Sequence, residues 1–277
     1  MEHVAGRFRG CKNLNLYYQC WLPAERPKAL LLVVHGLAEH SGRYSNLAGY
    51  FVAKGYAVYS FDYQGHGQSE GLRGYVERFS HYFDDLKAFL DIVRRQQPDT
   101  RTFLFGHSMG GTIATAYAIH HQAEFSGLIL SAASLKIDTN LSSALITVGN
   151  ILSRLLPKTG LTVLDATAIS RNRAIVDAYI NDPLVYRGKI RARLGSELIR
   201  ITRQLPGQMP ELNLPVLIMH GTADRLSDPK GSEMLYERAS SKDKTLKLYD
   251  GFYHEIFNEP GHEQVLADMA AWLAAHL

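Results

Sequence analysis

The stretch Phe103-Leu104-Phe105-Gly106-His107-Ser108-Met109-Gly110-Gly111, FLFGHSMGG, sets one serine between two glycines at the end of an apolar run. The residues before it, RTFLF (101–105), have the β-branched and aromatic content of a strand, and those after it, GTIATAYA (111–118), suit a helix. A bare G-x-S-x-G is weak evidence; strand, turn and helix in that order are the setting in which the motif carries chemistry. A serine on so sharp a turn is held in a strained conformation, and the residues two places away must be tiny for the segments to approach. Gly106 and Gly110 meet that demand. The hydroxyl then sits at a helix N-terminus, where the dipole and free N–H groups favour negative charge, so Ser108 is a candidate nucleophile.

A serine hydroxyl needs a base, itself oriented by a carboxylate, and on this architecture the acid precedes the histidine in the chain. LPVLIMHG (214–221) reads as a strand, and TADR (222–225) puts Asp224 at its carboxyl end. GFYH (251–254) then supplies His254 ahead of the final helix, with Asp228 and His262 as substitutes should either be only a turn residue. Two N–H groups must receive the oxyanion: that of Met109, after the nucleophile, and that of Leu37, after the strand-ending LVVHG (32–36).

Outward from this core, short apolar runs alternate with helical patterns. Strands are expected at 14–21, 29–34, 57–61, 102–105, 128–131, 216–219 and 245–248, several continuously apolar as in a parallel sheet covered on both faces. Helices are expected at 80–97, with Ser80 as N-cap and Pro98 as the stop, at 111–121 and at 260–277. The alternation gives a doubly wound α/β fold with a mostly parallel central sheet flanked by helices. Its core is expected in two parts, 1–133 and 209–277, around a helical cap at 134–208 that shows no buried strand. In that cap Leu141, Leu145, Val148, Leu152 and Leu155 share one helical face, widened by Ile146, Ile151 and Leu156. The face is either buried on the core or a lid surface for lipid.

Composition excludes several classes. The 277 residues are 46% hydrophobic and 21% charged, as in globular proteins, and the formal charge of +3 comes from mixed basic and acidic residues, so nucleic acid is not an expected partner. Cys11 and Cys20 form no CxxC pair or metal cluster and read as free thiols, unless an early hairpin brings them together. The amino terminus has no apolar leader, and the run 29–34 is six residues where a membrane span needs about 20, so a cytoplasmic protein is expected.

HGLAEHSGRY (35–44), FDYQGHGQSEG (61–71), GHSMGG (106–111), SRNRAIVDAYINDPL (170–184), GTADRLSD (221–228) and GFYHEIFNE (251–259) resemble the monoacylglycerol lipases of the α/β-hydrolase superfamily across essentially the whole chain. The resemblance implies hydrolysis of monoacylglycerols to fatty acid and glycerol without a cofactor, by an enzyme that meets membrane or micellar lipid through its cap. Ser108, Asp224 and His254 fall on the family's triad and Leu37 and Met109 on its oxyanion donors, although the family commonly has alanine where Leu37 stands. Glu39, Arg43 and His107 match positions lining the glycerol end of the pocket; the opposing reading is a loop ion pair and a packed histidine. Arg187, Lys189, Arg191 and Arg193 read as a solvated face or, alternatively, a patch for anionic headgroups. Competing activities are a lysophospholipase, a broad carboxylesterase and a silent lipid-binding module on the same scaffold; dehalogenase and epoxide hydrolase relatives carry aspartate where Ser108 stands.

Overall fold

The computed structural model describes residues 1–136 and 143–277, with 143–146 as backbone alone. Among these, the elements run β1 (Glu2–Arg9), β2 (Asn15–Leu22), β3 (Leu30–Val34), α1 (Ser45–Val52), β4 (Ala57–Phe61), α2 (Ser80–Gln96), β5 (Thr102–His107), α3 (Met109–His120), β6 (Gly127–Ser131), α4 (Ser143–Leu155), β7 (Gly160–Thr162), α5 (Arg173–Asn181), β8 (Ile190–Arg191), α6 (Ala192–Gln208), β9 (Val216–Gly221), α7 (Lys230–Arg238), β10 (Lys244–Tyr249) and α8 (His262–Ala275). One sheet has the order β1-β2-β4-β3-β5-β6-β9-β10. β2 pairs antiparallel with β1 and β4, and all other neighbours are parallel.

Every residue of β3, β4, β5, β6 and β9 is buried because helices cover both faces. Leu30, Leu32 and Val34 join α2, α3 and α6 in one apolar cluster, whereas Leu31 and Val33 join α1 and α8 in the other. The period-two alternation of a strand thus reads as a continuous apolar run in the sequence, and each such side chain contributes about 1.5–3 kcal/mol. The seven expected strands are present with ends shifted by a residue or two. β1 was not expected: as an edge strand it alternates between exposed and partly covered residues, with no apolar run to mark it.

α2 begins at Ser80 and ends before Pro98, but Ser80 is not its cap. Phe79 takes the N-cap position in helical conformation, and its N–H donates to Glu197 Oε2 of α6 at 2.7 Å. Between β6 and β9 lie α4, α5, α6 and a ribbon of β7 and β8, whose strands of three and two residues are too short to show a pattern. Leu194, Ile201 and Leu205 of α6 belong to the main core. α4 does not: it turns Asn150 to Ser196 of α6 at 2.8 Å and leaves Val148, Ile151, Leu155 and Leu156 exposed at 58%, 53%, 73% and 58%. The facing side of α6 is polar, with Arg193, Glu197 and Arg200, so the apolar face has no core to enter and the buried reading fails for these turns. Leu141 and the side chains of Leu145 and Ile146 lie outside the described residues.

Arg187 and Lys189 are exposed, but Arg191 donates to the carbonyls of Arg73 and Lys158 and Arg193 is half-buried, so the four do not form one solvated face. Cys11 and Cys20 are free: one lies in the turn between β1 and β2, the other within β2 opposite Val4.

Candidate active site

β5 ends at His107 and α3 starts at Met109, so Ser108 makes the whole turn alone, at φ 54° and ψ −123°. Left-handed φ on a residue with a Cβ costs on the order of 1–3 kcal/mol and persists only where the surroundings impose it. Here the Ser108 N–H donates to the Ser131 carbonyl at 3.1 Å, and the Ser108 carbonyl accepts from the Ser134 N–H at 3.0 Å. A Cβ on Gly106 would lie 2.6 Å from the Gly110 carbonyl oxygen, and one on Gly110 would overlap the carbonyls of Val34 and His35. Both glycines are therefore steric requirements of the turn.

Asp224 follows β9 with its side chain fully buried, and its Oδ2 accepts from His254 Nδ1 at 2.7 Å. Its Oδ1 accepts from the N–H groups of Leu226 and Ser227 at 2.7 and 3.1 Å. Burial opposes charge on both partners, but their proximity outweighs it: the carboxyl is held far below the usual range, and His254 is raised above the ordinary histidine value. The substitutes are engaged elsewhere. Asp228 pairs with Lys136 at 2.8 Å, and His262 Nδ1 donates to the Glu259 carbonyl.

Ser108, Met109, Leu37 and His254 line one cavity of about 150 Å³. Its lining combines the apolar side chains of Leu164, Ile169, Leu198 and Leu226 with the polar ones of Glu39, His107, Tyr179 and Glu255. Glu39 Oε1 accepts from the Gly36 N–H at 2.5 Å and from the Tyr44 hydroxyl at 2.8 Å, fixing the loop that carries Leu37. Arg43 donates to both oxygens of Glu255, at 2.5 and 2.9 Å, and to Glu39 at 3.2 Å, and lies over the Tyr179 ring at 4.6 Å. Burial opposes the charge on Glu255, but Arg43 outweighs it and lowers its pKa. His107 donates from Nδ1 to the Ser131 carbonyl at 3.0 Å; burial, then nearby His254, push its pKa down to about 4, so it stays neutral.

The structure therefore brings all eight expected residues to one place, with Arg43 just behind the lining as the centre of an ion-pair network. It adds Glu255, Tyr179 and His220, the last bonded to Asp224 through Nε2 at 3.0 Å. Glu255 and Tyr179 lie inside quoted motifs, next to His254 and before NDPL; His220 is hidden within an apolar strand, four residues before Asp224. Among the described residues no His, Cys, Asp and Glu group is arranged to hold a metal, and no helix is long and apolar enough to cross a membrane.

Residues 25–261 match the family described as serine aminopeptidase S33. The chain is 37% identical to a monoacylglycerol lipase of Mycolicibacterium smegmatis, covering 98% of this chain and 96% of that one. It is 38% identical to the Homo sapiens monoglyceride lipase over 88% of this chain and 81% of that one. The fold matches a soluble variant of Saccharomyces cerevisiae monoglyceride lipase in complex with a substrate analog, with TM-score 0.87 and 26% identity, covering 98% and 94% of the two chains.

Proposed function

The chain belongs to the monoacylglycerol lipase family of the α/β-hydrolase superfamily, and from that premise we propose that it hydrolyses monoacylglycerols to fatty acid and glycerol through Ser108, His254 and Asp224. The observation that carries this reading is the cavity beside Ser108, lined by both apolar and polar side chains and by His254, whose imidazole is paired with the buried Asp224. Neutral His254 takes the Ser108 proton as the hydroxyl attacks the ester carbonyl, while Asp224 fixes the imidazole tautomer and stabilises the cation that forms. The oxyanion is received by the N–H groups of Leu37 and Met109. Protonated His254 then releases glycerol, and water repeats the sequence on the acyl-enzyme.

Glu39, His107 and Arg43 serve the glycerol end, with Glu39 and His107 in the lining and Arg43 shaping it from behind. Two carboxylates around one guanidinium leave this end net negative, which suits an uncharged polyol and disfavours a phosphate. That disfavours the lysophospholipase alternative. Residues 134–208 act as the cap, and the exposed apolar side of α4 supports transient contact with a membrane or micelle.

The test compares turnover of monoolein, lysophosphatidylcholine and p-nitrophenyl butyrate. Preference for monoolein is expected. Preference for the lysophospholipid overturns the substrate assignment, and rates confined to the butyrate ester favour a general carboxylesterase.

A further inference from the structure

Asp224 Oδ2 is shared by two histidines. His254 Nδ1 approaches it at 2.7 Å and His220 Nε2 at 3.0 Å. His220 is fully buried in β9, four residues before the acid. Its Nε2 also faces the Ser227 carbonyl at 3.2 Å, so both neighbours of that nitrogen are acceptors and it must carry the proton. On the other edge of the ring, Nδ1 lies 2.7 Å from the hydroxyl of Ser232, itself buried in α7, which can donate or accept there. The imidazole is thus held at both ring nitrogens and clamped between β9, α7 and the acid loop. Nothing in the attack on an ester asks for this second imidazole.

We propose that His220 is a positioning residue for the reaction: it orients the Asp224 carboxylate toward His254 and, by donating to the same oxygen, moderates its hold on the His254 proton. The inference rests on the triad assigned above. A carboxylate oxygen that already accepts one N–H is a weaker acceptor for the next, so the shared oxygen leaves His254 more readily neutral, the form that acts as base. The other groups facing His254 are unchanged by this: Glu255 beside it, Glu39 across the cavity, and the His107 ring at 4.7 Å.

The experiment uses His220→Asn and His220→Gln, which separate the two edges of the ring. The asparagine amide reaches the position of Nδ1 and retains Ser232 but stops short of Asp224; the glutamine amide extends to the position of Nε2. Circular dichroism and thermal melting check that each folds. With monoolein at saturation across the acid limb of the pH profile, His220→Asn should lose about 10²-fold in kcat, leave KM unchanged and move the acid limb to higher pH. His220→Gln should recover most of the rate and restore the limb. Equal kcat and an unmoved limb in both folded variants would assign His220 to packing alone and overturn the proposal. Ser108→Ala run alongside separates the two levels. Loss of turnover there, with no difference between Asn and Gln, removes only the role of His220; retained turnover removes the triad and this inference with it.

Discussion

Replacing Arg43 with methionine removes a guanidinium and keeps most of the apolar stem. Its side chain is 11% exposed and bonded to two carboxylates that are 6% and 7% exposed. Removing one partner of a buried ion pair costs about 3–5 kcal/mol, because the charge left behind has lost its water and its counter-ion. At about 2–4 °C per kcal/mol for a chain of this size, the melting temperature near pH 8 should fall by ~6–20 °C. The pH dependence gives the cause. In the wild type Glu255 is held below its ordinary pKa, so its contribution is present above the unfolded carboxylate pKa and is lost as pH falls through the lower folded value. Without Arg43, the largest opposition to burial is gone and only the Asn258 amide, which donates to Glu255 Oε2 at 2.9 Å, and nearby His107 remain against it, so that pKa rises, and the folded state is penalised as pH rises through the glutamate range and relieved below it. Thermal unfolding of wild type and Arg43→Met should therefore differ most near pH 8, and the gap should narrow steadily towards about pH 4.5. A difference under about 1 kcal/mol near pH 8, or a gap that widens on acidification, would refute this account of the network.

Gly110→Ala puts a methyl group against the carbonyls of Val34 and His35; overpacking of this kind costs about 1–3 kcal/mol, and esterase activity should fall further than the melting temperature suggests. Because His254 is raised above the ordinary histidine pKa and acts as a base only when neutral, kcat/KM should decline as pH falls, with its midpoint above the free-imidazole value; a midpoint below that value contradicts the Asp224 contact. Leu155→Glu on the exposed side of α4 should weaken co-sedimentation with phosphatidylcholine vesicles while leaving turnover of a soluble butyrate ester unchanged. Equal sedimentation of variant and wild type would remove α4 from the membrane contact.

What the sequence disclosed follows from how local each signal is. β3 to β6 and β9 are apolar at nearly every position because both faces are covered, and the turn at Ser108 announces itself through Gly106 and Gly110, two residues away on either side. β1 was missed because an edge strand has one open side and no continuous run. The cap of α2 was misread for a different reason. Ser80 is the residue type that caps helices, yet the Phe79 N–H is received by Glu197, more than a hundred residues later. The ion pair of Arg43 and Glu255 likewise joins the first and last thirds of the chain. The apolar stripe of α4 was visible, but which way it faces depends on the polar side of α6, and no periodicity within α4 reports its neighbour.

The most direct test of the central claim is to react the folded protein with a fluorophosphonate probe, locate the adduct by peptide mass spectrometry, and compare monoolein turnover in Ser108→Ala. A single adduct on Ser108, absent from the variant together with its turnover, is the expected result. An adduct on another residue, no adduct in an active protein, or monoolein hydrolysis that survives in Ser108→Ala would contradict it.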